Sequence, residues 1–341
     1  MTEFINFYEK NNTGVITLNR SAALNALNLK MALAFKKKLN QWKKNKHIEG
    51  IILKSNGKAF CAGGDIKSIC LAGKNSNLKK NFFKNEYELN YAIKSFPKPY
   101  LSLWNGIVMG GGVGLSVYGN YRISTLNTKF EMPESAIGFF PDVGTSYILS
   151  RMQNSIGLYL GLTGHVLNYF ETYKLGLSNY FINEKDLHKV EEYFINYKKI
   201  DKKLTRNIPY YKSNLLKNQK LINNYFSSMN IETIFNNLYK DGSIFAKNIL
   251  NHLSKRCPFS LALTCKQFKI AKKSSFKKCL HMDYYLSQIM TSRSDFINGV
   301  NEVLIKKTHN QKWNHSSFEK INDKIDKYFN NMSTKKIILD I

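Results

Sequence analysis

Glu134 and Asp142 sit on two short acidic turns, Met132-Pro-Glu-Ser135 and Phe140-Pro-Asp-Val-Gly144, downstream of three consecutive glycines, Gly110 to Gly112. Glycine lets another molecule approach the backbone closely. These glycines follow an apolar strand pattern and open a small-residue helix, so their N–H groups lie where donors are unpaired and the helix dipole is positive. Such a bend suits an oxygen that acquires negative charge. A neighbouring carboxylate can activate water or attack directly. Backbone donors beside carboxylates are the equipment of acyl chemistry. Spacing does not choose between Glu134 and its neighbour Glu131. Asp142 also fits an ordinary turn or N-cap position.

A second glycine bend, Cys61-Ala-Gly-Gly-Asp65, follows an earlier strand, and Asp65 is placed to cap a helix from Ile66. Its peptide N–H groups can face those of Gly110 to Gly112, each bend giving one donor to one oxygen. Glu86 lies on the apolar stripe Phe82, Phe83, Leu89 and Ile93 of a helix expected over Asn81–Ser95. A carboxylate there needs a partner. A rim pair with Lys79 and a contact to ligand fit the sequence equally well.

The elements that must position these groups are legible in outline. Strands are expected at Val15–Leu18, Gly50–Leu53 and Tyr100–Trp104, and an amphipathic helix at Asn28–Lys44 with Ala32, Phe35, Leu39 and Trp42 on one face. Strands, helices and glycine turns alternate to about Phe181, an α/β pattern of stacked β–α units. From about Asn183 long helical patterns take over: Leu187–Tyr197, Ile231–Tyr239, Ser243–Leu253, Leu261–Ala271, Cys279–Thr291 and Phe296–Ile305. The expected organisation is a core over 1–182 holding the site, a helical region over 183–331 covering it, and a tail over 332–341.

The chain of 341 residues is 43% hydrophobic, enough for a substantial core. No apolar run approaches the ~20 residues that cross a bilayer, so no membrane partner is expected. Glu3 and Glu9 precede the first arginine, Arg20, and no signal-peptide core is visible, an expectation of a cytoplasmic or mitochondrial-matrix protein without a visible targeting segment. The 5 cysteines form no C-x-x-C and read as reduced thiols. The formal charge of +27 comes from lysines spread along the chain, so nucleic acid is not the expected partner. A spread charge still attracts a ligand bearing several phosphates.

Other chemistries fail by inspection. Gly114-Leu-Ser-Val-Tyr118 lacks the closing glycine of a nucleophile elbow. No phosphate-binding glycine loop or H-E-x-x-H is present, so no metal site is expected. Met109 reads as a core residue.

Ala59-Phe-Cys-Ala-Gly-Gly-Asp-Ile66, Met109-Gly-Gly-Gly-Val-Gly-Leu-Ser116 and Met132-Pro-Glu-Ser-Ala-Ile-Gly-Phe-Phe-Pro-Asp-Val-Gly144 together resemble the crotonase superfamily. Within it they are most similar to the branch that hydrolyses 3-hydroxyisobutyryl-CoA in valine breakdown. The likeness continues through Phe83-Lys-Asn-Glu-Tyr87, Leu162-Thr-Gly164, Met282-Asp-Tyr-Tyr-Leu-Ser287, Asp295-Phe-Ile-Asn-Gly-Val300, Val303-Leu-Ile-Lys-Lys307 and Trp313. The resemblance implies a spiral of ββα units with an all-helical C-terminal part, and an acyl-CoA substrate with no separate cofactor. It implies a thioester carbonyl held by the N–H groups of Gly64 and Gly111, with substrate touched by Glu86, Gly111, Glu134 and Asp142. Glu134 then becomes the catalytic carboxylate, as base or nucleophile, and Asp142 orients the substrate hydroxyl or the water. Hydratases of this superfamily carry a second glutamate where this chain has Gly114, which favours hydrolysis over hydration. A hydratase or isomerase on another acyl-CoA and an RNA-binding homologue are the alternatives. A homo-oligomer is compatible with the resemblance. Arg20-Ser21 departs from the branch's usual Arg-Pro, and Thr145-Ser146 stand where further glycine is common, a change expected to reshape the acyl pocket.

Overall fold

The computed structural model describes residues 3–73, 76–314, 317–332 and 339–341. Its strands are β1 (Ile5–Lys10), β2 (Thr13–Leu18), β3 (Gly50–Ser55), β4 (Ala59–Cys61), β5 (Tyr100–Trp104), β6 (Ile107–Met109), β7 (Tyr121–Ser124), β8 (Lys129–Glu131), β9 (Leu167–Asn168) and β10 (Tyr180–Phe181). They form a six-stranded sheet ordered β1-β2-β3-β5-β7-β10 and a four-stranded sheet ordered β4-β6-β8-β9. Each successive strand pair, β3–β4, β5–β6 and β7–β8, places one strand in each sheet. That is the expected spiral of ββα turns, and its pairings are parallel except β1–β2 and β8–β9.

The inner strands β2, β3 and β5 of the large sheet are buried on both faces, as parallel sheets require. In β3, Ile51 and Leu53 join the main core while Ile52 joins a second cluster with Leu101, Ile123, Val190 and Phe194. The helix α1 (Leu29–Lys44) is capped by Asn28, whose Oδ1 accepts the Met31 N–H at 2.9 Å. The helices α2 (Ile66–Leu71) and α3 (Leu78–Lys94) follow β4, and the single turn α4 (Gly111–Gly114) follows β6. Next come α5 (Thr145–Leu149), α6 (Ile156–Thr163) and α7 (Tyr169–Lys174).

Beyond β10 only helices and turns follow among the described residues: α8 (Leu187–Tyr197), α9 (Asn214–Lys217), α10 (Gln219–Phe226), α11 (Ile231–Asp241), α12 (Ile244–Ser254), α13 (Pro258–Ala271), α14 (Phe276–Met290), α15 (Ser294–Val300) and α16 (Phe318–Met332). The stretch expected as one helix at Phe296–Ile305 divides into α15 and a wider π-type turn, Asn301–Ile305. Among the elements that escaped sequence reading, β1 and α16 show why. The edge strand β1 buries only Ile5, which leaves little alternation to detect. Helix α16 buries Ile321, Ile325 and Phe329 within a Lys- and Asn-rich stretch. The expected tail lies outside the described residues at 333–338, but its end packs down. Leu339 is buried, the Asp340 N–H donates to Glu88 Oε1 at 3.1 Å, and Asp340 pairs with Lys84 at 2.8 Å.

An aromatic cluster ties the C-terminal helices to the glutamate turn. Phe139 packs against Phe83 of α3, Phe140 and Phe296 of α15, and Tyr87 of α3 packs against Tyr284 of α14. Gly299 of α15 lies so close to Ile137 that a Cβ there would come within 2.6 Å of its backbone.

Candidate active site

Three neighbouring strand ends build the site. β4 pairs with β6, and β6 with β8, all parallel. Their C-terminal ends therefore emerge side by side, carrying Gly63-Gly64, Gly110-Gly111 and Pro133-Glu134. The central position of β6 puts its glycine bend between the other two. A Cβ built on Gly111 would lie 3.1 Å from the Gly64 nitrogen and 2.5 Å from Glu86 Oε1. One on Gly110 would lie 3.0 Å from Glu134 Oε1 and 3.6 Å from Gly63 Cα. A Cβ at either glycine would crowd the glutamate oxygens and the facing bend. Gly110 has φ 48° and Gly63 φ 104°, the left-handed region that favours glycine. The first loop is fastened to this bend by Arg20, which pairs with Asp65 at 2.8 Å, and Asp65 caps α2 through the Ser68 N–H.

The bends face a cavity of about 270 Å3. Glu86, Glu134 and Asp142 all line it, with Met109, Ile137 and Phe139 as apolar wall and Val303 and Leu304 of the π-type turn at its side. Met109, expected in the core, is thus part of the cavity wall. Thr145 and Ser146, expected to shape it, are buried in α5 and do not line it. Glu131 reaches toward Arg256 and Gly164 instead. Of the two acids that spacing left open, Glu131 and Glu134, the turn after β8 places Glu134 on the cavity and leaves Glu131 off it. Lys79, the alternative partner for Glu86, donates to the Thr291 carbonyl at 3.2 Å.

The carboxylates are starved of cations. Glu86 Oε1 and Glu134 Oε2 are buried without a hydrogen-bond partner among the described residues. Burial first, then the charge of Asp142, holds both acids well above the ordinary glutamate range. Asp142 is pushed up to about 7 by burial, although the Tyr87 hydroxyl donating to its Oδ2 at 2.7 Å works the other way. Carboxylates raised above their ordinary range in a cleft are the kind of group that proton transfer uses. Tyr87 was not singled out from sequence. Nor were Gln267 and Asp283, which sit behind the Asp142 turn. Asp283 carried the same signal as Glu86, a carboxylate on an otherwise apolar helix face.

Among the described residues no group of three or more His, Cys, Asp or Glu side chains is placed to hold a metal ion, and no helix is long and apolar enough to cross a membrane.

Comparison with known proteins gives one consistent pattern. A family model described as enoyl-CoA hydratase/isomerase matches residues 13–329. A protein of Xenopus tropicalis named 3-hydroxyisobutyryl-CoA hydrolase, mitochondrial, is 41% identical over 340 residues, covering 96% of this chain and 88% of that protein. Its namesake in Danio rerio is 38% identical over 347 residues, covering 98% and 91%. The crystal structure of an enoyl-CoA hydratase from Rhodobacter sphaeroides 2.4.1 superposes with a TM-score of 0.88 at 28% identity, covering 95% of this chain and 96% of that one.

Proposed function

The chain belongs to the enoyl-CoA hydratase/isomerase family, and from that membership we propose that it hydrolyses the thioester of 3-hydroxyisobutyryl-CoA to 3-hydroxyisobutyrate and free coenzyme A. The observation that carries this reading is the convergence of the Gly64 and Gly111 bends on a space bordered by Glu134. Set between those two amides, the thioester carbonyl gains negative charge on its oxygen as a nucleophile adds at carbon. Donors already aimed at that position lower the barrier, each by ~10²–10³ in rate. Glu134, beside the bend on the β8 side, takes a proton from the water that adds to the carbon and returns it to the departing thiolate, or attacks the carbon itself to give a mixed anhydride that water then hydrolyses. Asp142 and Glu86 supply polar contacts for the small hydroxylated acyl group, and thiolate leaves as coenzyme A.

The cavity volume supports a short acyl chain, below the ~300–1,000 Å3 typical of drug-sized ligands. Coenzyme A arrives as part of the substrate, so the scheme uses no separate cofactor. Its phosphates fit a surface with net charge +27. The relatives' names also make mitochondria the proposed compartment, to be tested by localising a tagged chain in cells.

A hydratase reading draws on the family's description and on the name of the R. sphaeroides structure. It lacks the second carboxylate at Gly114, where a Cβ would fall 2.7 Å from both Asn90 Nδ2 and Val143 Cβ. Incubation with 3-hydroxyisobutyryl-CoA, following thiol release, and with crotonyl-CoA, following loss of the double bond, separates the two. Thiol release without hydration is expected. Hydration with no thiol above background overturns the hydrolase.

A further inference from the structure

The turn carrying Asp142 has a backbone that its sequence resists. Val143 has φ 51° and Gly144 φ 74°. A β-branched residue holds the left-handed region only where its surroundings over-determine it. Three side chains from three elements supply that constraint. The hydroxyl of Tyr118, just past α4, donates to the Val143 carbonyl at 2.8 Å. Gln267 of α13 donates through Nε2 to the Pro141 carbonyl at 3.0 Å. Asp283 of α14 accepts the Gly144 N–H at 2.8 Å through Oδ2 and the Gln267 amide at 2.9 Å through Oδ1.

None of the three lines the cavity. Gln267 and Asp283 are fully buried, on helices whose neighbouring positions are apolar: Leu263 and Phe268, Leu280 and Leu286. A carboxylate in such a place is costly, and apolar residues of similar volume would serve folding as well. What the polar groups add is direction. They grip the residues before and after Asp142, leaving its side chain free to face the cavity with Tyr87 as its hydrogen-bond partner.

We propose that Tyr118, Gln267 and Asp283 are positioning residues that fix the aim of the Asp142 carboxylate, so that two C-terminal helices tune a site built by the N-terminal spiral. This rests on the hydrolase reading above. Without the grip, Val143 relaxes toward negative φ and the carboxylate loses its register with the substrate.

The test is a set of double-mutant cycles on the full chain. Tyr118→Phe, Gln267→Met and Asp283→Asn are made alone and with Asp142→Asn, and kcat and KM for 3-hydroxyisobutyryl-CoA are measured alongside thermal unfolding. A misaimed group costs up to ~10²-fold, so Gln267→Met and Asp283→Asn are expected to lower kcat about tenfold to a hundredfold, and Tyr118→Phe about threefold to tenfold, with KM little changed. In the Asp142→Asn background the same changes should alter kcat by less than about twofold, because coupled residues do not act independently. Losses that multiply undiminished in that background, or an unchanged kcat in folded variants, overturn the proposal. Tyr118→Phe removes one hydroxyl and keeps the test decisive if the two buried polar variants fail to fold. A wild-type chain that releases no thiol overturns the functional reading itself; an active one with multiplicative losses overturns only the clamp.

Discussion

Glu134 is 6% exposed, with Oε1 toward the central glycine bend and Oε2 without a hydrogen-bond partner among the described residues. Replacement by glutamine preserves shape and removes the basic and nucleophilic oxygen. Glu134→Gln should therefore lower kcat by ~10⁴-fold, the upper end for a proton-transfer group, with little change in the Kd of a non-hydrolysable thioether analogue measured by calorimetry. The ionisation of Glu134 has a sign that can be worked out. Its acid is raised well above the ordinary range by burial, then by Asp142, and the reaction needs the ionised form. Activity should fall as pH drops through that raised value, so the acid limb of kcat/KM lies above the usual carboxylate range. Asp142→Asn deletes the second cause of the shift. The variant should turn over more slowly than wild type but faster than Glu134→Gln, with its acid limb displaced to lower pH. A limb that stays put, or moves upward, would show that the two carboxylates do not share a field.

At the scale of elements, the site depends on parallel strand ends lying a glycine's width apart. Gly112 makes the point most sharply, because a Cβ there would fall 2.3 Å from the Cys61 carbonyl, a backbone atom that cannot turn aside. Gly112→Ala should lose about 1–3 kcal/mol of stability, the usual cost of overpacking, in denaturant titration. Gly111→Ala meets a side-chain oxygen, Glu86 Oε1 at 2.5 Å. Its loss should appear in kcat, by ~10²–10³-fold, because the oxyanion donor is displaced. Both glycine bends were legible from sequence, since two strand–glycine–helix junctions in successive units imply a shared site. The apolar stripe of α3 exposed Glu86 as an anomaly in the same way. What stayed hidden was whatever depends on packing between distant segments. The course of the turn after β8, which separates Glu131 from Glu134, leaves no mark on spacing. Nothing in Pro141-Asp-Val-Gly144 announces a left-handed valine, since that conformation is imposed by Tyr118, Gln267 and Asp283 from elsewhere in the chain. Helix α16 did carry a signal, Ile321, Ile325 and Phe329 at helical spacing, submerged in polar residues.

For the whole molecule, a basic exterior surrounds an acidic interior. The surface carries most of a +27 net charge, while Glu86, Glu134, Asp142 and Asp283 lie together inside. If the exterior steers a phosphate-bearing substrate, KM for the thioester should rise with salt as screening shortens toward ~3 Å at 1 M, with kcat little changed. The interior makes a prediction about stability. Glu86, Glu134 and Asp283 have acids raised well above their ordinary values, and Asp142 is raised to about 7, each with burial as the leading cause. An acid raised on folding favours the folded state fully below its unfolded pKa, and that contribution is lost as pH climbs through the folded value. For Asp142 the window runs from ~4 in the unfolded chain to about 7 in the folded one, and for the two glutamates and Asp283 it opens at ~4 and extends upward. The cluster therefore works against folding as the solution becomes alkaline. Asp186, Glu302 and Asp340 are shifted downward by hydrogen bonds to and the charge of nearby lysines, and Asp241 by hydrogen bonds from Ser243 and Tyr225, so their contribution fades only below the ordinary carboxylate range. Maximal stability should thus fall on the acid side of neutrality. Calorimetry at fixed ionic strength should find a higher Tm near pH 5.5 than near pH 8.5. Glu86→Gln, which removes one buried charge without altering the fold, should raise Tm at the alkaline end and converge with wild type at the acid end. A wild-type Tm that rises with pH, or a Glu86→Gln effect independent of pH, would mean that these carboxylates are not held against their charge.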